Sequence, residues 1–135
     1  MGEAKVRWAG SRTFIGTDST CHAVLMSNAE DNVGMKASEL MLVSLACCSS
    51  FDVVGILEKR KVVLRKLEVE VNAEQEKDPP WTYTDIHLKY ILAGDGLTPQ
   101  YAETAIRLSE EKYCSVSASL TSELVMTVQI VNEEE

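Results

Sequence analysis

The most distinctive pattern in the chain is a long apolar run. From Leu40 to Phe51 no charged residue occurs, and Leu40, Met41, Leu42, Val43, Leu45, Ala46, Cys47, Cys48 and Phe51 cover every side of a helical wheel. The pattern predicts a helix from about Ala37 to Lys59, with Ser38 or a neighbour capping its start and Glu39 at the positive end of its dipole. At 1.5 Å per residue it would be roughly 35 Å long, about the diameter of a small domain. A surface helix carries a polar stripe, and the middle of this one has none, so burial on most sides is expected. One small domain can hardly enclose such a helix alone. A homodimer that wraps it between two subunits is the economical arrangement.

Around this helix the pattern has a period of two. Val6-Arg7-Trp8, Thr13-Phe14-Ile15 and His22-Ala23-Val24-Leu25-Met26 read as short strands separated by Gly10, by Gly16 and by the polar turn Thr17 to Thr20. Beyond the helix, Leu67, Val69 and Val71 oppose Lys66, Glu68, Glu70 and Asn72. Asp78-Pro79-Pro80 makes a turn into a strand where Ile86, Leu88, Tyr90 and Leu92 alternate with Asp85, His87 and Lys89. Thr98-Pro99 opens a second helix, to about Lys112, with Tyr101, Ala102, Ala105, Ile106 and Leu108 on its buried side. A short turn or helix from Cys114 to Thr121 leads to a last strand carrying Leu124, Met126, Val128 and Ile130. The order predicts an α+β fold, a single domain over residues 1–135, with antiparallel sheets, a long buried central helix and a second helix.

Composition narrows the function. The 135 residues are 45% hydrophobic and 25% charged, as in a soluble globular protein. A net charge of -8 argues against nucleic acid and against an anionic membrane surface, since both favour a basic face. The start of the chain has no apolar signal core, and the uncharged run of the helix is about half of what a membrane span needs. A cytoplasmic protein is expected, with Glu133-Glu134-Glu135 as a solvated end. Cys21, Cys47, Cys48 and Cys114 then read as reduced thiols rather than a disulfide framework. They lack the paired spacing of a zinc site, and no metal or cofactor is expected.

Cys48 admits two readings. A cysteine within a buried helix is ordinarily packing. Ser44 and Asp52, however, lie one turn away on its own face, and Cys114 follows a helix in Tyr113-Cys114-Ser115-Val116-Ser117, where a thiol can move to meet another. Cys48 is too far from the start of its own helix for that dipole to activate it. The other candidates are weaker. A Cys47–Cys48 vicinal disulfide is disfavoured by helix geometry. Cys21 and His22, adjacent on a strand, point to opposite faces. No Gly-x-Ser-x-Gly nucleophile elbow occurs.

The stretch Ser38-Glu39-Leu40 to Cys47-Cys48-Ser49-Ser50-Phe51-Asp52-Val53-Val54-Gly55-Ile56-Leu57 resembles the central helix of OsmC/Ohr proteins. In that family the reactive cysteine stands eight residues after a helix-start leucine, and here Leu40 plus eight is Cys48. The helix ending, the segment Glu111 to Ser117, and the opening Val6-Arg7-Trp8, Phe14-x-Gly16 and His22 to Met26 resemble the small YhfA-like branch. The resemblance covers nearly the whole chain. It implies an intertwined homodimer with active sites at the subunit interface, Cys48 as peroxidatic thiol and Cys114 as resolving thiol. It further implies reduction of organic hydroperoxides in oxidative-stress defence, with a dithiol reductant regenerating the thiols. Met41, Leu42, Leu45 and Phe51 would form an apolar substrate wall, and Trp81 and Tyr83 can join it or serve the fold. In the family a glutamate-held arginine activates the cysteine. Aligned on Leu40, that glutamate falls at Ser38, with Glu39 one position off, and Arg12 is the candidate cation or a solvated surface arginine. Two other functions stay open: a non-catalytic dimeric module binding an apolar ligand, and a thiol redox sensor.

Overall fold

The computed structural model describes residues 2–131. The acidic residues Glu133 to Glu135, expected as a solvated end, lie outside the described residues. The chain forms two compact units, Met1–Leu42 and Val43–Glu135, dividing inside the long helix.

In the first unit, β1 (Ala4–Trp8), β2 (Thr13–Asp18) and β3 (Ala23–Ser27) make a three-stranded antiparallel sheet in the order β1-β2-β3. The three expected strands are all present, but β1 starts two residues earlier, β2 runs on through Gly16 and Thr17 to Asp18, where a turn was expected, and β3 starts one residue later. Cys21 and His22 therefore lie in the turn rather than on a strand, Cys21 having a left-handed φ of 64°. Asp31 fixes the loop that follows the sheet. It accepts the Arg12 backbone N–H (2.9 Å), the Thr13 hydroxyl (3.0 Å) and the Ser11 hydroxyl (3.1 Å). Hydrogen bonds favour the charged form, so these donors hold the Asp31 carboxyl below its ordinary value.

Helix α1 runs from Ala37 to Lys59, as the apolar run predicts. Only Asp52 interrupts Leu40–Leu57 with a charge, so by length and composition α1 is also long and apolar enough to cross a membrane. The twelve-residue uncharged run understated this. In the fold, however, Leu45, Ala46, Ser49, Val53 and Leu57 form a packed face, as in the core helix of a folded domain. Within one chain only this face is packed, in keeping with a helix too apolar for one small domain to enclose alone. Val43, Cys47 and Phe51 are exposed, Phe51 at 75%. A single layer of secondary structure covers only one side of a helix, and the opposite side of α1 is left apolar.

The second unit adds β4 (Val63–Gln75), β5 (Tyr83–Asp95), α2 (Pro99–Leu108), α3 (Ser115–Ser119) and β6 (Glu123–Ile130). Its sheet has the order β4-β5-β6. β4 and β5 pair antiparallel, Leu67 opposite Leu92 and Val71 opposite Leu88. β5 and β6 pair parallel, from Asp85 opposite Glu123 to Leu92 opposite Ile130. The expectation of purely antiparallel sheets is thus corrected for this sheet. Side chains alternate with period two in either pairing, so the pattern of β6 carries no direction. The crossover through α2 and α3 brings the chain back to the end of the sheet where β5 began, and this makes the pair parallel. Gly94 permits the tight approach of β4 to β5, since a Cβ there would lie 2.7 Å from the Val63 carbonyl oxygen.

The core of this unit joins Ile86, Leu88, Tyr90 and Leu92 of β5 to Leu45, Val53 and Leu57 of α1 and Ala102, Ala105 and Ile106 of α2, all buried. Helix α2 starts as its sequence dictates, with Thr98 capping the Tyr101 N–H at 3.1 Å and Pro99 in the first turn. It ends earlier than its apolar pattern suggests. Ser109–Tyr113 forms a wider π-helical turn before Cys114.

Candidate functional site

The π-helical turn sets the position of the second cysteine. The Cys114 N–H donates to the Ser109 carbonyl at 2.8 Å, five residues back, and Cys114 then leaves the helical path in an extended conformation. Such turns are rare and often mark functional positions. Cys114 is also the first cap of α3, its sulfur accepting the Ser117 N–H at 3.3 Å. A thiol free to move was expected there. Instead Cys114 is 2% exposed and held by both bonds.

Cys48, half-buried on α1, meets this turn. It accepts hydrogen bonds from the backbone N–H groups of Ser115 and Val116, from the Ser115 hydroxyl and from the Cys114 thiol. Burial raises the Cys48 pKa, but these donors outweigh it and the net effect lowers the thiol below its ordinary 9.0. Cys114 moves the other way, to about 11, because burial and the hydrogen-bonded, negatively charged Cys48 both disfavour its thiolate. The Ser117 and Val116 N–H groups offset this only in part. One sulfur of the pair is thus favoured as thiolate and its neighbour as thiol, the division a nucleophile and a later-acting partner need.

The own-helix dipole is indeed too distant to act on Cys48. The activating donors come instead from the start of α3, whose first N–H groups have no partner within that helix. Sequence reasoning missed Ser115 and Val116 as donors. The available signal was the serine-rich run after Cys114, with a side chain able to cap Ser117.

A buried polar chain lies behind Cys114. Tyr90 and Ser49 share a hydrogen bond of 2.5 Å between their hydroxyls. Ser109 donates to the Asp52 carboxylate at 2.7 Å, its oxygen lying 3.4 Å from the Ser49 hydroxyl. Burial raises the Tyr90 pKa, the Ser49 bond opposes this, and the charges of Cys114, Glu110 and Asp52 add to the rise. A small cavity of about 10 Å³, room for roughly one water molecule, is bounded on its polar side by Tyr90, Ser49, Ser109, Glu110, Cys114 and Ser117.

Of the residues proposed from sequence, Cys48 and Cys114 are brought together. Leu45 is buried and lines the cavity next to Cys114. Phe51 lies exposed on α1, Trp81 is exposed, and neither they nor Tyr83 border that cavity. Arg12, Ser38, Glu39, Met41 and Leu42 belong to the first unit. There Arg12 reaches the Ser11 carbonyl at 3.5 Å, and Glu39 pairs with Lys36 at 2.9 Å. Among the described residues, no three His, Cys, Asp or Glu side chains are placed to share a metal ion.

A family model described as OsmC-like protein matches residues 29–129. The chain belongs to the OsmC-like family. Within it, the chain is similar to Protein YhfA of Escherichia coli strain K12, 32% identical over 125 residues that cover 93% of each. Among solved structures it is similar to a hypothetical protein from Aquifex aeolicus VF5, with a TM-score of 0.88 and 26% identity over 97% of this chain and 96% of that one. It shares its fold with an organic hydroperoxide resistance protein OsmC from Legionella pneumophila, with a TM-score of 0.66 and 12% identity over 98% and 97% of the two chains.

Proposed function

We propose that the protein is a cysteine-based peroxidase for organic hydroperoxides, with Cys48 as the peroxidatic and Cys114 as the resolving thiol. One observation carries this reading: Cys48 is hydrogen-bonded by two backbone N–H groups and by the thiol of Cys114 itself. In the first step the Cys48 thiolate attacks the terminal peroxide oxygen, the O–O bond breaks, and an alcohol leaves with a Cys48 sulfenic acid behind. In the second, the Cys114 sulfur attacks the Cys48 sulfur and water leaves, giving a Cys48–Cys114 disulfide. A dithiol reductant then returns both thiols. The fold shared with a hydroperoxide resistance protein fits this chemistry.

The apolar side of α1 that bears Val43, Cys47 and Phe51 would meet a second copy in a homodimer, which supplies the substrate wall one chain lacks. The acidic chain needs no nucleic acid or membrane partner for this work, and reduced thiols suit the cytoplasm.

The test is a stoichiometric addition of cumene hydroperoxide to the reduced protein, followed by thiol counting and disulfide mapping. Loss of two thiols within seconds and a Cys48–Cys114 link are expected, with turnover when a dithiol is added and none in Cys48→Ser. An inert Cys48 would refute the peroxidase. A disulfide that forms without turnover would favour a redox sensor.

A further inference from the structure

The condensing thiol presents a problem of its own. Cys114 is almost fully buried, and its proton must leave before its sulfur can attack. The cavity beside it is bounded by α1 through Leu45 and Ser49, by β5 through Leu88 and Tyr90, by β6 through Leu124 and Met126, and by the π-helical turn and α3. Among the described residues, the titratable side chains that line this space are Cys114, Tyr90 and Glu110, with Cys48 hydrogen-bonded to Cys114 from α1. Tyr90 is a neutral phenol already engaged with Ser49, so it cannot accept the proton. Glu110 is the one carboxylate there, half-buried in the π-helical turn four residues before Cys114.

We propose that Glu110 is the base that removes the Cys114 proton during disulfide formation. This rests on the reading of Cys48 as the peroxidatic thiol. The proton passes from the Cys114 sulfur to the Glu110 carboxylate across the water-sized cavity. The sulfur lone pair forms the S–S bond, the Cys48 S–O bond breaks with its electron pair on oxygen, and the departing hydroxide recovers the proton from Glu110 as water. No external oxidant enters this step, because the hydroperoxide has already delivered the oxygen to Cys48. Burial, and to a lesser degree Glu111, raise the Glu110 carboxyl above its ordinary 4.5, which strengthens it as a base. The shape of the π-helical turn has a consequence here, since it carries Glu110 and Cys114 to one cavity while Glu111, Lys112 and Tyr113 remain exposed.

The experiment follows both steps after rapid mixing with cumene hydroperoxide, using mass spectrometry to separate Cys48 sulfenic acid from disulfide across pH. Wild-type condensation is expected to rise with Glu110 ionisation and then level off. In Glu110→Gln, sulfenic acid forms at the wild-type rate, but condensation at pH 7 falls about a hundredfold. It then climbs steadily with pH, because without Glu110 only ionisation of Cys114 by hydroxide supplies the attacking thiolate. Glu111→Gln keeps the plateau and moves the acid limb to lower pH. Unchanged condensation and pH profile in Glu110→Gln, with normal sulfenic acid formation, would overturn the role of Glu110 alone. Absence of Cys48 sulfenic acid in the wild type would overturn the peroxidase reading together with it.

Discussion

Tyr90→Phe isolates one hydroxyl at the centre of the second unit. Tyr90 is 1% exposed, and phenylalanine keeps its volume, so no cavity opens. The variant loses the 2.5 Å bond to Ser49, a net contribution of about 1 kcal/mol for a neutral pair. Ser49 is itself buried, and its nearest remaining partner is the Ser109 hydroxyl at 3.4 Å, a weak substitute. A fraction of its desolvation cost therefore adds to the loss, for about 1.5 kcal/mol in all at pH 7. The pH dependence is more diagnostic. The folded Tyr90 pKa lies above its ordinary 10.0, first because of burial and then because of nearby negative charge, with the Ser49 bond opposing. The folded state therefore holds the proton more tightly than the unfolded state. Its contribution is full below pH 10 and declines as pH rises from 10 through the folded value. Phenylalanine has no proton to hold, so the gap between wild type and variant must narrow above pH 10. Urea unfolding of both at pH 7 and at pH 10.5 measures this. A gap below about 0.5 kcal/mol at pH 7, or one that stays constant with pH, would refute the reasoning.

Three further outcomes follow from the packing and from the thiol pair. Leu92→Ala, at a fully buried position opposite Leu67, should cost about 2–5 kcal/mol in urea unfolding, where an exposed-site cost near zero would contradict the core. Alkylation of Cys48 should reach half its maximal rate below pH 9.0, and Ser115→Ala should move that midpoint up by removing the hydroxyl donor. Phe51→Glu should leave the folding of a single chain intact, because Phe51 is exposed there, yet dissociate the proposed dimer in sedimentation velocity; a variant that stays dimeric would remove α1 from the interface.

Much of the local structure is legible in single stretches of the chain. The apolar run and its flanks define α1 from Ala37 to Lys59, and Thr98-Pro99 gives the start of α2, because caps and periodicity act within a few residues. The resemblance to OsmC/Ohr proteins, counted from Leu40, points to Cys48 rather than Cys47, and in the structure Cys47 is exposed while Cys48 is half-buried against Cys114. The α+β character follows from the order of elements. What fails is whatever depends on partners distant in sequence. The parallel pairing of β6 with β5 is the clearest case, whereas the one packed face of α1 agrees with the expectation that a small domain cannot enclose this helix alone.

Sequence by itself determined most of the elements and their facing residues, because these are written in short-range periodicity and residue type, while the resemblance to OsmC/Ohr proteins singled out Cys48 and Cys114. Only the tertiary structure decided that β6 runs parallel to β5, that a π-helical turn places Cys114, and that the N–H groups of Ser115 and Val116 serve Cys48. It alone brought Ser49 to Tyr90 and Ser109 to Asp52, pairs 41 and 57 residues apart. The physical reason is common to all of these. A backbone N–H or a hydroxyl is present at nearly every position, and only the closing of long loops selects which acceptor it meets.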